Sequence, residues 1–394
     1  MVIGFQMKGP AMNIEKFGVE IWMNAHENNC TLNLAETCVS SITLDQLVQM
    51  SGRNDSLMSE LLPMKMTYGA IEGSDRLRRN VCDLYTRQTP ENIMITHGTI
   101  SANALVYEAL INPGDHVVSI VPTYQQHVAI PQSYGAQVSQ LRLREENGFL
   151  PDLSALETLM RSDTKLIAMT NPNNPTGALM DRQMLEQIAG LARACGAYIL
   201  CDEVYRGTNQ TGDGFTASVA DVYEKGISTA GLSKSFSLAG LRVGWIAAPS
   251  DVIAKVSVRR DYNTISVGMI NDHFGSLALE AKDKILARSR EITRGNLQVL
   301  DEWVQNEPRI SYLRPAAATV ALLKYDADMP SEAFCLELLD QTGVLLVPGS
   351  VMDMEGYLRI GFANDPDALR EGLLRLSGFL KDVTSGADTV AGGL

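Results

Sequence analysis

The hydrophobic positions change their period along the chain. In the middle, short apolar runs recur: 116-HVVSIVP, 165-KLIAMTNP, 197-AYILCDEVY and 242-RVGWIAAP. Such runs, closed by Pro, Asp or Asn, predict strands buried on both faces. Between them the period is helical. In 181-DRQMLEQIAGLARAC, residues Met184, Leu185, Ile188, Leu191 and Ala192 fall on one face. Strands alternating with helices predict a βαβ sheet covered on both sides. Beyond about residue 275 the pattern shifts. The charged stretch 276-SLALEAKDKILARSREITRGNLQVLDEWVQ predicts one long helix, followed by short strands and a last amphipathic helix near 366-PDALREGLLRLSGFLKDV. A small-residue tail from Gly386 to Leu394 is expected to fray.

Composition narrows the class of function. With 394 residues the chain can form two domains and a large core. A formal net charge of −13 argues against a nucleic-acid surface and against anionic membranes. A small anion held in a local basic pocket stays compatible with it. Cys30, Cys38, Cys82, Cys195, Cys201 and Cys335 are scattered, with no C-x-x-C pair and no metal spacing. They read as reduced thiols with no metal site. No apolar run reaches membrane-spanning length, and no basic segment with an apolar run and cleavage site opens the chain. A cytoplasmic protein is expected.

Five motifs carry chemistry. In 171-NPNNPTG, two Asn-Pro steps and a Gly follow an apolar strand. They make a rigid turn at a strand's carboxyl end, where open α/β sheets bind ligands; alone it is only a turn. In 201-CDEVYRG, Asp202 ends a strand and needs a partner. A cofactor ring nitrogen would serve, as would a helix N-cap role. In 229-TAGLSKSFSLAGLRVGW, Lys234 lies among small and apolar neighbours, with Arg242 eight residues on. Desolvation is expected to lower the amine's pKa and free a nucleophile, whereas a lone loop lysine is commonly solvated. Arg242 is a natural phosphate fork. In 95-ITHGTISANALVYEAL, Gly98 and Thr99 end a strand and open a helix, which favours an anion or simply starts the helix. In 357-YLRIGFA, Arg359 interrupts an apolar strand. It needs a carboxylate, from a substrate or from a structural Asp or Glu.

These motifs, in this order, resemble class I and II aminotransferases of pyridoxal-5′-phosphate (PLP) fold type I, over roughly residues 60 to 380. The resemblance implies an aspartate-aminotransferase-like α/β fold with a mostly parallel central sheet and a smaller α+β domain. The expected division is a segment over 1–45 packing with the small domain and active site, a large PLP-binding domain over 46–275, and a small domain over 276–394. It also implies roles. Lys234 carries the cofactor as a Schiff base and moves the proton between substrate Cα and cofactor C4′. Asp202 pairs with the ring nitrogen, so that the ring acts as an electron sink. Tyr205 and Asn174 bond the phenolic oxygen, and Tyr124 in 122-PTYQQH stacks on the ring. Gly98, Thr99 and Arg242, joined by Ser233, bind the phosphate, and Arg359 grips the substrate carboxylate. Tyr68, in 67-TYGAIEGSDRLR, resembles the tyrosine that reaches the neighbouring subunit's phosphate, so a homodimer with shared sites is implied. Asn263 and Thr264 resemble a segment that crosses to the partner.

Departures bear on the substrate. A Gly-x-Pro segment that lines the pocket in the family is replaced by Glu36-Thr37-Cys38, and the common phosphate-binding Ser before the lysine is Gly231. Glu36, with Glu20 as a second acceptor, would suit a cationic side chain; capping or pairing with a structural Arg is the plainer role. The stretches 95-ITHGTISANALVYEALINPGD and 145-EENGFLPDL are similar to capreomycidine synthase, a family member that acts on an oxidised arginine. PLP- and oxygen-dependent arginine oxidases share a reworked N-terminal segment. In some of them a His lies close after its acidic residue, where this chain has Cys38. The expected activity is ping-pong amino-group transfer from an α-amino acid to a 2-oxo acid. The alternative is a PLP-dependent oxidase, cyclase or lyase acting on arginine or a related basic amino acid. A non-catalytic regulator is a distant third, since no helix-turn-helix extension accompanies the acidic chain. Borohydride reduction and peptide mapping should place the pyridoxyl group on Lys234; recovery on another lysine would overturn that assignment.

Overall fold

The computed structural model describes residues 13–391. Residues 1–12 of the expected N-terminal segment and 392–394 of the expected tail lie outside the described residues. The predicted apolar runs become strands His116–Val121, Thr164–Thr170, Tyr198–Asp202 and Gly244–Ala247. Seven strands form the large sheet. Its order is Ile93–Thr96, Gly244–Ala247, Gly226–Gly231, Tyr198–Asp202, Thr164–Thr170, His116–Val121, Gln137–Arg142. Strand Gly244–Ala247 runs antiparallel to both its neighbours, and the remaining pairs are parallel. The helices that cross between parallel strands cover both faces, and so the central strands are buried and mostly apolar along their length rather than alternating. Helix Arg182–Cys195 shows how one is made. Asp181 caps it by accepting from Met184 N at 2.8 Å, Gly196 ends it in the left-handed conformation, and Leu185, Ile188, Ala189 and Ala192 are buried.

A second, four-stranded antiparallel sheet is formed by Val347–Pro348, Tyr357–Gly361, Val320–Tyr325 and Ile310–Ser311. The N-terminal segment joins this region, with Leu32–Asn33 pairing in parallel with Val344–Leu345. The long helix expected over 276–305 is instead two helices, Met269–Glu280 and Lys282–Asn306. Ala281, at φ −95° and ψ 13°, breaks the run. The second helix serves two cores. Ile285 and Leu286 pack with the large sheet through Trp245 and Val243, whereas Leu297 and Leu300 pack with Phe334, Leu358 and Phe362. The change of core therefore falls inside this helix, later than the expected boundary at 275. The last helix runs Pro366–Ala391, into the expected tail.

His127 is buried at 0 % exposure; its Nδ1 meets the Tyr107 hydroxyl at 2.7 Å and its Nε2 has no partner. Burial lowers its pKa to about 4. A group depressed from its unfolded value stays neutral in the native state, so stability is lost as pH falls through the unfolded value near 6.5. From pH 7.5 to 5 the expected loss is about 2 kcal/mol. Urea midpoints at the two pH values should show it, and His127→Gln should remove most of the difference. An unchanged difference in that variant would assign the effect elsewhere.

Candidate active site

The parallel strands all end at the same edge of the large sheet, and the motifs stand just beyond those ends. Strand Thr164–Thr170 runs into Asn174, Tyr198–Asp202 into Tyr205, and Gly226–Gly231 into Ser233 and Lys234. His116–Val121 runs into Tyr124, and Ile93–Thr96 into Gly98 and Thr99. Arg242 leads into the antiparallel strand from the same edge. All but Gly98, which adjoins Thr99, line one cavity of about 320 Å³. Asp202 is only 4 % exposed and caps no helix. Its Oδ2 accepts from Asn103 Nδ2 at 2.9 Å and its Oδ1 from Val204 N at 3.1 Å. Burial raises its pKa to about 6 against the opposing pull of those two donors and of Lys234.

The other end of the cavity is built for an anion. Helix Gly98–Leu110 opens there with Gly98 at φ 74°, and a Cβ on Gly98 would lie 2.8 Å from Arg242 Nη2. Arg242 Nη1 donates to Ser233 Oγ at 3.5 Å. Thr99 Oγ1 is buried without a partner. The departure at Gly231 has a steric reason, since a side chain there would start 2.7 Å from Thr99 Oγ1. The threonine hydroxyl and the Val243 carbonyl, 2.9 Å from the same point, fill the space that a serine at 231 would need. An orphaned hydroxyl, a guanidinium and a helix N-terminus together fit a phosphate. The buried carboxylate across the cavity fits a cationic ring nitrogen.

Lys234 is 24 % exposed at its side chain and lies 3.6 Å from Glu36 Oε1 and 3.4 Å from Cys38 Sγ. Burial acts to lower its pKa, but Cys38, Tyr205 and Glu36 outweigh it, and the net direction is upward. The expected depressed lysine is therefore corrected: desolvation is present, but an anion stands beside the amine. That anion is Glu36. Burial pushes its carboxyl up, yet Lys234, Cys38 and the backbone N–H groups of Cys38 and Thr37 hold it at about 2. Burial meanwhile raises Cys38 to about 11, so it is a neutral thiol at pH 7. Glu36 also accepts from Thr37 N at 2.6 Å and Cys38 N at 2.8 Å, both on Oε1. It thus both caps its own loop and pairs with Lys234, not with a structural arginine.

Arg359 is 4 % exposed in strand Tyr357–Gly361. Its Nη2 donates to Ala35 O at 3.1 Å and its Nη1 to Asn174 Oδ1 at 3.4 Å, while Nε has no partner. Among the described residues no carboxylate forms an ion pair with it. Tyr124 donates its hydroxyl to Glu20 Oε1 at 2.7 Å, which ties helix Gly18–His26 to the cavity wall. Glu27, on the turn that ends that helix, also lines the cavity. Tyr68 is 77 % exposed and outside the cavity, as are Asn263 and Thr264. Thr37, Cys38 and Asn103 line the cavity without having been singled out as site residues. Asn103 follows Thr99 by one helical turn, a spacing that would have placed both on one face. All six cysteines are free. Among the described residues no cluster could hold a metal ion and no helix is long and apolar enough to cross a membrane.

Comparisons with known proteins give the family and the fold. The family described as aminotransferase class I and II matches residues 59–376, and the chain belongs to it. A solved PLP-dependent aminotransferase from Streptococcus suis is similar, with 45 % identity, a TM-score of 0.92 and coverage of 94 % of this chain and 99 % of that one. Capreomycidine synthase of Streptomyces vinaceus is 28 % identical over 91 % of this chain and 92 % of its own length. Aspartate aminotransferase of Thermotoga maritima is 28 % identical over 79 % and 82 %. The fold is that of aspartate aminotransferase and the cofactor is PLP.

The Glu36–Lys234 pair should be visible without turnover. In cofactor-free protein, Glu36→Gln should lower the pH at which Lys234 becomes reactive toward cyanate by one unit or more, about 1.4 kcal/mol of lost pairing. Peptide mapping against pH reads it, and an unshifted profile would show that Glu36 does not hold the ammonium.

Proposed function

We propose that this PLP-dependent member of the class I and II aminotransferases moves the amino group of an α-amino acid to a 2-oxo acid. Arg359 carries the reading. A buried guanidinium with a free Nε and, among the described residues, no carboxylate ion pair, in the same cavity as Lys234, calls for the α-carboxylate shared by amino acids and 2-oxo acids.

When bound, the cofactor supplies an electron sink for the pair released at the substrate Cα. The chain does the rest. The helix N-terminus at Gly98, with Thr99, Ser233 and Arg242, would hold the phosphate. Asp202 would hold the ring nitrogen, Tyr205 and Asn174 would bond the phenolic oxygen, and Tyr124 would wall the ring. Arg359 fixes the substrate carboxylate, which aims the Cα proton at Lys234. Lys234 Nζ takes that proton and returns it. Glu36 favours the protonated amine and so stabilises the stage at which Lys234 holds the proton. Tyr68 faces outward from its own cavity, in keeping with a contribution to the partner's site in a homodimer.

A second reading has its own support. Glu20, Glu27 and Glu36 all line the cavity, an acidic wall suited to a guanidinium or ammonium side chain. A PLP-dependent oxidase, cyclase or lyase acting on a basic amino acid would use it, and the similarity to capreomycidine synthase points the same way.

Holoenzyme mixed with single amino acids and no keto acid separates the two. Transamination should stop after one equivalent of keto acid per site, whereas continuing ammonia or peroxide release would replace it with the second reading. With arginine, ornithine, glutamate and leucine, Glu36→Gln should lose about tenfold or more in kcat/KM on the basic pair alone if Glu36 reads the cation. An equal loss on leucine would return Glu36 to pairing with Lys234.

A further inference from the structure

Asp202 is met by a directed hydrogen-bond network of residues that lie within the quoted motifs but have no assigned role there. Asn103, at 0 % exposure in helix Gly98–Leu110, spends both ends of its amide. Its Oδ1 accepts from Thr229 Oγ1 at 2.6 Å. Its Nδ2 donates to Asp202 Oδ2 at 2.9 Å and to Gln126 Oε1 at 3.3 Å. Gln126 in turn donates from Nε2 to the Ile100 carbonyl at 3.0 Å. A backbone carbonyl can only accept, so it fixes which end of Gln126 faces it. Gln126 then presents an oxygen to Asn103, and Asn103 must present its NH2 to Asp202. The other Asp202 oxygen faces the Val204 N–H, which can only donate. Both carboxylate oxygens thus face donors, and neither of these protein neighbours offers an acceptor for a carboxyl proton.

We infer that Asn103, locked in orientation by Gln126 and Thr229, is a positioning residue that keeps Asp202 an ionised acceptor reserved for the protonated ring nitrogen of the cofactor. This rests on the assignment of Asp202 to that nitrogen. Burial at this sheet edge favours the neutral acid, and the donors at the two oxygens counter it. Without Asn103 the carboxyl protonates and turns more easily, and its demand for a cationic partner weakens. Thr229→Val leaves the shape nearly intact but removes the hydroxyl that holds Oδ1, so the amide is free to turn.

The test compares two ligands on cofactor-free protein by fluorescence titration: PLP, and its 1-deaza analogue, in which the ring nitrogen is a C–H. Wild type should prefer PLP, because the analogue leaves the buried carboxylate without a cationic partner to balance its charge. Asn103→Leu should reduce that preference about tenfold or more, and Thr229→Val should reduce it less, in the same direction. A general packing defect would weaken both ligands equally, so an unchanged ratio in Asn103→Leu overturns the inference even where both affinities fall. If Asn103→Leu does not fold, the ratio in Thr229→Val decides, and no change there overturns it. If wild type does not discriminate at all, the Asp202 assignment itself fails, an outcome distinct from a preference that the variants leave intact.

Discussion

The common direction of the parallel strands governs this molecule. Because those strands end at one edge, the groups placed just after them must share one small volume. The central strands are buried on both faces and mostly apolar, with a few hydroxyls such as Ser228 and Thr229 serving buried polar partners. The charged side chains that line the cavity are paired there or keep polar atoms free for a ligand. Asp202 is met by two N–H donors, Lys234 by Glu36, and Arg242 by Ser233. Arg359 and Thr99 keep unpaired polar atoms. Such a site is poorly satisfied by the protein alone, which is the physical state of a site shaped around an anionic cofactor and a zwitterionic substrate.

The N-terminal segment completes that volume and couples the two sheets. Leu34 N donates to Leu345 O at 3.0 Å, Gly361 N to Leu34 O at 2.7 Å and Ser40 N to Ala363 O at 2.8 Å. Val39 N reaches back to Lys234 O at 3.4 Å. Residues 34–40 are thus threaded between the small sheet and the lysine loop, and they deliver Glu36 and Cys38 to the amine. Helix Gly18–His26 adds a second tie, through Glu20 on Tyr124 and through Gln125, whose Oε1 accepts from Gly18 N at 2.9 Å. Changes in this segment therefore act on the cavity wall and on the electrostatics of Lys234 together.

Much of the plan was legible in the sequence. The buried strands announce themselves as mostly apolar runs; 171-NPNNPTG, Asp202 and Lys234 stand at or just after strand ends, Arg242 leads into one and Arg359 interrupts one. Strand-end position is a local property, and parallel topology then brings strand ends together. The break at Ala281 leaves no mark in the sequence, because charged, good helix formers continue across it with no Gly or Pro.

Tertiary structure alone decided the environment of each group. The apolar neighbours of Lys234 do desolvate it, but its pKa moves upward because Cys38, Tyr205 and Glu36, all distant in sequence, surround the amine. The loss of a serine at 231 looks like a missing contact in sequence, whereas in space Thr99 occupies that volume. Asn103 is an unremarked helix residue until Asp202 and Thr229 close around it from two neighbouring strands. Local pattern determines which residues reach the sheet edge. What each one can do there depends on charges and volumes contributed by distant parts of the chain, because electrostatics and packing act through space and leave no period in the sequence.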